Sequence, residues 1–333
     1  MADAQLYVRF AGPLVTLQDA GRPGHMRFGV PASGPMDRLS FAAAHAALGN
    51  PAGQTCVEVS LGGVELECRE GDVTLAITGG EFVVNHNGRK STGWTVVTLH
   101  TGDRISVRSG ASGSWAYLAC SGIIASDTWL DQSATHASSG FGGGALHAGQ
   151  TLAVRDARVS PDREGAVAPY TQDVKDPFRV VIGPQEECFA PGVADVFTLE
   201  TFKVSDAYDR MGMRLVGPGL TLNGSLSIPS EPIVRGSVQV SGDGVPTVLL
   251  ADHQTTGGYP KIATVISCDI DRLVQTRAGQ PIQFEAVPAD RAIAIVRAEA
   301  LARDLYLHDI GVPRGTLEQR LFRENLIHGV FDP

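Results

Sequence analysis

The chain has 333 residues, enough for about two domains at roughly 150 residues each, and a core of that size needs neither disulfides nor a metal for its stability. Glycine (39) and proline (19) are abundant while charged residues, at 19%, fall short of the usual ~25%, a composition that favours many turns and short strands. The net charge of −9 and the scattered Lys and Arg leave no basic stripe for nucleic acid, and no apolar run approaches the ~18 residues of a membrane span; with no secretory signal in the opening MADAQLYVRF, a cytoplasmic protein without a membrane partner is expected.

Residues 17 to 37 form the first unusual segment, LQDAGRPGHMRFGVPASGPMD, with four glycines and three prolines. Such a loop is stiff yet lets its amides turn inward, so Asp19, Arg22, Ser33 and Asp37 either present a carboxylate, a guanidinium and a hydroxyl to one pocket or belong to a structural lid. Asp37 is also a natural N-cap for a helix that Gly49-Asn50-Pro51 stops, with Leu39, Ala42, Ala43, Ala46 and Leu48 as its apolar face.

From Val57 to Val107 short runs rich in Val, Ile and Thr (EVSLGGVELEC, VTLAITG, EFVV, TVVTLH, DRISVRS) recur about every ten residues, as in a barrel or sandwich. Asn87-Gly88 reads as a two-residue hairpin turn rather than part of a metal site with His86. SWAYLACSG and TLAVRD continue the strands, and SSGFGGGALHAG is a glycine-rich loop. Cys56, Cys68, Cys120, Cys188 and Cys268 are odd in number and widely spaced, which fits reduced thiols; no residue set has metal-ligand spacing.

The polar, proline-bounded TQDVKDP reads as a linker, dividing the chain into residues 1–170 and 171–288, with 289–333 as helices. The second part carries a short helix from Gly192 to Leu199 and the strands YDRMGMRLVGP, SVQV, TVLLAD, ATVISCD and PIQFEAV. Asp209 and Arg210, adjacent on a strand-like run, point to opposite faces and need different partners, surface charge being the default. After Pro288, Ile293, Val296, Leu301 and Leu305 recur at helical spacing until Gly311, and GTLEQRLFRENLIHGVFDP is a second helical candidate through Leu317, Leu321, Phe322 and Ile327.

The segment LADHQTTGGYPK, residues 250 to 261, is the richest in functional side chains. A hairpin needs only Gly257 and Gly258; it does not need Asp252, His253, Gln254, Tyr259 and Lys261 around them. Lys261 supplies a positive charge, Tyr259 and Gln254 supply hydrogen-bond donors, and the Gly257-Gly258 amides are candidates for an oxyanion pocket. The alternative is a decorated turn. No triad, P-loop or dinucleotide fingerprint is present, so side-chain chemistry alone reaches an anion-handling pocket between two β domains.

In these segments, and in EVSLGG, ITGGEF, VIGPQEECF, YDRMGMRL and GSVQVSGDGVPTVLLADHQTTGGYPKIATVI, the chain resembles the family of the 5-oxoprolinase C-subunit, also called KipA or allophanate hydrolase subunit 2, related to the carboxyltransferase part of biotin-dependent urea carboxylase. The resemblance implies a mainly β fold of two cyclophilin-like β-barrel domains with a C-terminal helical extension. It also implies a KipI-like B-subunit for a partner, with a LamB/YcsF-like A-subunit or a biotin carboxylase and its carrier. Three activities belong to it: ATP-dependent opening of 5-oxoproline, carboxyl transfer from carboxybiotin on a partner to a urea-like acceptor, and KipA-type antagonism of a KipI kinase inhibitor. No covalently bound cofactor is expected. From side-chain chemistry, ring opening assigns Lys261 and Arg22 to the substrate carboxylate or a phosphorylated intermediate, with the Gly257-Gly258 amides near the carbonyl oxygen, and carboxyl transfer assigns Asp19 or Tyr259 to the acceptor nitrogen as base or relay, while Ser33, Asp37, Arg210, His253 and Gln254 line the site. His253 stands where the family pattern has Arg, His45 where it has Asn, and Glu187 and Cys188 alter the segment after Gly183-Pro184.

Overall fold

A computed structural model describes residues 2–171, 177–224, 227–315 and 319; most of TQDVKDP and the four apolar residues of the closing helical candidate lie outside the described residues. Every strand before residue 170 belongs to one of two antiparallel sheets. The seven-stranded sheet runs Ile123–Ile124, Thr151–Ala157, Ala2–Ala11, Val64–Glu70, Arg104–Arg108, Val83–His86, Arg89–Thr92, and the six-stranded sheet runs Gly165–Ala166, Thr95–Leu99, Val73–Gly79, Ala116–Cys120, Cys56–Val59, Thr16–Gln18. Asn87 (φ 50°) and Gly88 (φ 87°) turn the hairpin between Val83–His86 and Arg89–Thr92, as their sequence foretells.

Helix α1, Arg38–Leu48, explains why the central strands of the six-stranded sheet are buried along their whole length. Leu75, Ile77, Ala116 and Leu118 face the seven-stranded sheet, while the alternate residues Ala76, Tyr117 and Ala119 face α1. Because α1 lies between that sheet and the C-terminal helix, its burial is not the single stripe expected: Phe41, Ala43, Ala44, His45 and Ala47 are buried, and Leu39, Ala42 and Ala46 only half-buried.

The second part folds as an eight-stranded sheet in the order Pro281–Ile282, Phe202–Tyr208, Gly212–Val216, Pro246–Leu249, Ser237–Val240, Lys261–Val265, Phe178–Ile182, Phe284–Ala286, antiparallel except for the last pair. Helix α2, Val193–Leu199, begins after Gly192 as expected, and Phe197 stacks on Phe284 at 4.5 Å. Helix α3, Ser267–Leu273, takes over the end of ATVISCD, which the sequence pattern assigns to a strand. Its Asp269 accepts from the Arg179 backbone N–H at 2.8 Å and pairs with that guanidinium, a side-chain arrangement that strand propensity does not register.

Helix α4, Ala289–Gly311, has the expected bounds but is turned differently from expectation. Ile293, Leu301 and Leu305 are 53, 68 and 72% exposed. The covered side is instead Ala292, Ile295, Val296, Arg303, Tyr306, Leu307 and Ile310, where Arg303 bonds Asp271 of α3 at 2.7 Å and small residues allow close approach to α1. Polar anchoring, which hydrophobic periodicity does not see, fixes the helix rotation. Mainly β architecture with a C-terminal helix is therefore the fold.

Candidate functional site

Arg210 leaves the eight-stranded sheet and ends, 1% exposed, among residues from both parts of the chain. Its Nε and Nη2 donate to the Asp252 carboxylate at 3.0 and 2.9 Å, Nη2 also to the Gly34 carbonyl at 2.7 Å, and Nη1 to Glu58. Burial alone would lower its pKa, but the Glu58 and Asp252 charges together hold it raised. Glu58 Oε2 further accepts from the Met36 N–H and the Tyr117 hydroxyl, both at 2.8 Å, and Tyr117 accepts from the Asp37 N–H at 2.7 Å. Arg210 is thus a buried tie rather than surface charge or a free substrate ligand; Asp209, as expected, goes elsewhere and accepts from Met211 N–H at 2.8 Å.

This tie positions the 250–261 segment. Asp252 donates its N–H to the Arg210 carbonyl at 2.8 Å and accepts from the Ala137 N–H at 3.0 Å. Burial pushes its pKa up, but Arg210 holds the carboxyl below the ordinary range. Next to it, His253 is buried, its pKa lowered by desolvation, with Nδ1 2.6 Å from the Gln254 carbonyl oxygen. Gln254 Nε2 donates to Gln239 Oε1 at 3.2 Å, and both residues line a cavity of about 360 Å³ with Met211, Arg214, Ser241 and Tyr259. Tyr259 is 47% exposed. Gln239 Nε2 is buried with no hydrogen-bond partner among the described residues.

Gly257 is no open turn: Thr256–Gly257 pairs with Glu231–Pro232, and the Gly258 carbonyl accepts from the Ile228 N–H at 2.8 Å. A Cβ on Gly257 would lie 2.4 Å from Gln239 Nε2, so a side chain there would push the Gln239 amide aside. Lys261 is buried and its ammonium pairs with Glu231, whose carboxyl it holds below the usual range, while its N–H donates to Gln185 Oε1 at 3.0 Å.

The amino-terminal loop is organised by its polar residues. Asp19, expected as a base, is an anchor, accepting from Gly21 N–H at 2.9 Å and from Ser133 N–H at 2.6 Å. Asp37 caps α1 through Ser40 N–H at 2.9 Å and accepts from Gln275 Nε2 at 2.7 Å; burial and the Asp271 charge push its pKa up to about 6. Both carboxylates are engaged in holding the loop and the start of α1. Arg22 is 1% exposed, donates to the Ala134 carbonyl and lies 4.9 Å from the Trp129 ring centre. Ser33, left-handed at φ 53°, is buried beside Asp252.

The structure therefore brings Gln254 and Tyr259 into one cavity with Gln239 and Arg214, places Arg22 within the electrostatic reach of Arg210 and Asp252, joins Arg210 to Asp252 by hydrogen bonds and sets Ser33 beside Asp252. Lys261 and Arg22 share neither a partner nor that cavity. Glu58, Gln239, Gln275 and Glu231 are functional neighbours that no sequence motif singles out. Glu58 and Gln239 each carry a signal, a polar residue at a buried position of an apolar strand (CVEV, SVQV). A second cavity, about 460 Å³, is lined by Glu186, Glu187, Phe189 and the start of α2.

Residues 28–286 match the model of the carboxyltransferase domain, subdomain A and B. The chain belongs to this carboxyltransferase family. It is 31% identical to the 5-oxoprolinase C-subunit of Haemophilus influenzae over 87% of this chain and 93% of that protein. It is 27% identical to urea amidolyase of Saccharomyces cerevisiae over 89% of this chain but 17% of that protein. The crystal structure of the K. lactis urea amidolyase superposes with a TM-score of 0.81 at 24% identity, covering 91% of this chain and 20% of that one; this chain thus spans about a fifth of that enzyme.

Proposed function

We propose that this chain is the C-subunit of an ATP-dependent 5-oxoprolinase-type complex that opens 5-oxoproline or a similar lactam together with a KipI-like B-subunit and a LamB/YcsF-like A-subunit. The reading is carried by the likeness to the 5-oxoprolinase C-subunit along nearly the whole of that protein. Residues 1–170 and 171–288 serve as its two domains and 289–333 as the helical extension. The cavity beside the 250–261 segment is the substrate site, and its volume is that of a small-molecule pocket. Gln239 Nε2, a buried donor without a partner among the described residues, offers a hydrogen bond to the lactam carbonyl oxygen. Arg214, whose partner Asp243 is half-exposed and readily exchanged, takes the substrate carboxylate. ATP phosphorylates the lactam oxygen and leaves as ADP; water then adds to that carbon and the C–N bond breaks as Tyr259 relays a proton to the leaving nitrogen, giving an acyl phosphate that a second water hydrolyses to glutamate and phosphate. Lys261 is a positioning residue, holding the Glu231–Gln185 cluster behind the segment.

A coupled assay of this chain with its candidate partner proteins, 5-oxoproline and ATP tests the reading. Glutamate release that falls at least tenfold in Tyr259→Phe supports it; release unaltered in that variant removes the site. A tight complex with no turnover points instead to a KipA-type antagonist.

The family model favours a second reading, carboxyl transfer from carboxybiotin on a partner to a urea-like acceptor. The same unpartnered Gln239 N–H fits the ureido oxygen of biotin, which in this chemistry would supply the carboxyl group. Turnover that needs bicarbonate and a biotinylated carrier and is blocked by avidin would select it.

A further inference from the structure

We infer that Arg22 is a closed receptor for a small carboxylate-type oxyanion, covered by the 129–144 loop and distinct from the Gln239–Tyr259 cavity. The guanidinium is 1% exposed, yet Nε and Nη1, which carry most of its N–H donors, find no hydrogen-bond partner among the described residues. Buried donors left unmade are costly, because those groups have given up water and received nothing in return; Arg235 and Arg277 each leave one such nitrogen among the described residues, and Arg22 leaves two. Nearby acids do not fill the gap. Asp19 is turned onto Gly21 and Ser133, and Asp252 onto Arg210 and Ala137. Ser33, a second buried group, puts its hydroxyl beside Asp252 without closing a hydrogen bond of good geometry.

The site is built, not accidental. Gly21 and Gly34, both at positive φ, pinch the loop shut: the Arg22 N–H donates to the Ala32 carbonyl at 2.8 Å, and a Cβ on Gly21 would lie 2.8 Å from that same oxygen. Nη2 is fixed by the Ala134 carbonyl and the cation is capped by Trp129, which stacks on Phe141 at 4.6 Å and 27°. The donors left over complement a planar O–C–O group, either bicarbonate or the carboxylate of a 5-oxoproline molecule bound apart from the one whose carboxylate Arg214 takes. The choice between these sources rests on the functional reading above; the receptor itself does not.

Because Trp129 covers Arg22, its fluorescence reports occupancy without turnover. The full chain is titrated with 5-oxoproline, with 5-oxoprolinamide, which lacks the carboxylate, and with bicarbonate. A saturable change in tryptophan emission with 5-oxoproline or bicarbonate, absent with the amide and lost in Trp129→Phe, is expected. Arg22→Gln should weaken it about 30-fold, roughly 2 kcal/mol at 1.4 kcal/mol per tenfold, and Arg22→Lys about tenfold. If Arg22→Gln does not fold, Arg22→Lys decides. No saturable change in the wild type, or undiminished affinity in the folded Arg22 variants, overturns the inference. Bicarbonate binding through Arg22 in a complex that releases no glutamate leaves the receptor standing and removes the oxoprolinase reading; glutamate release undiminished by Arg22→Lys, with no emission change, does the reverse.

Discussion

Replacing Arg210 by Met removes one cation and leaves two fully buried carboxylates, Glu58 and Asp252, facing each other across the seam between the two parts of the chain. Four charge-assisted or carbonyl hydrogen bonds go with it. Breaking a single buried pair costs about 3–5 kcal/mol, mostly the penalty of an uncompensated charge, and here one guanidinium compensates two acids, so the upper end applies. At about 2 °C per kcal/mol for a chain of this size, Arg210→Met should melt about 10 °C below wild type at pH 7.

The pH dependence gives the sharper test. In the wild type Asp252 has a folded pKa below its unfolded value, so its contribution is present above the unfolded pKa of about 4 and lost as pH falls through the folded one. Without Arg210 the sign reverses. Burial then raises the folded pKa, and the penalty is full at neutral pH and shrinks as the carboxyl takes up a proton. Thermal unfolding followed by circular dichroism at pH 7 and pH 4.5 should therefore show the gap between variant and wild type narrowing on acidification. A gap under about 3 °C at pH 7, or one that does not change with pH, would refute the view that Arg210 is a structural tie.

Two further outcomes follow from neighbouring groups. Asp37 has a folded pKa of about 6 against about 4 when unfolded, so its protonated form favours the fold: its contribution is full below pH 4 and is lost as pH rises through 6, by about 3 kcal/mol at 1.36 kcal/mol per unit. Asp37→Asn, which keeps an N-cap for α1, should flatten the fall in melting temperature between pH 4 and 7; an unchanged slope counts against the assignment. Gly257→Ala places a methyl 2.4 Å from Gln239 Nε2 and should raise KM in the coupled assay at least tenfold while moving stability by no more than about 1 kcal/mol; an unchanged KM would take Gln239 out of the site.

Local chemistry was legible where it is set by a few adjacent residues. Asn87-Gly88 dictates its hairpin through two positive φ values, Asp37 caps α1 through Ser40, and Gly192 marks the start of α2. The rotation of α4 was not legible, because the contacts of Arg303 with Asp271 and Cys268 outweigh the apolar stripe of Ile293, Leu301 and Leu305. The candidate site shows the same division. Its location on the 250–261 segment could be read from an excess of polar side chains over what a hairpin requires, but not which of them are free.

That distinction depends on partners remote in sequence. Arg210 looks like a ligand until Glu58, 152 residues away, and Asp252, 42 away, take it; Asp37 looks free until Gln275, 238 away, donates to it. Gln275 makes the point most fully, since its one amide accepts from Ser114 and Trp115 N–H at 2.8 and 3.0 Å and donates to the Trp115 carbonyl and Asp37 at 3.0 and 2.7 Å. These four bonds reach three residues, Asp37, Ser114 and Trp115, all from the other half of the chain, and with Arg210 the residue makes the seam a polar network rather than a purely apolar contact. Polar satisfaction fixes one relative geometry where apolar packing tolerates several, which is what a cavity walled by Gln239 and Gln254 and supported by Asp252 on the seam requires. Arg22 keeps two buried polar atoms unpartnered among the described residues and Gln239 one, as Ser33, Arg235 and Arg277 each keep one; on the two proposals above, the partners of Arg22 and Gln239 come from outside the chain.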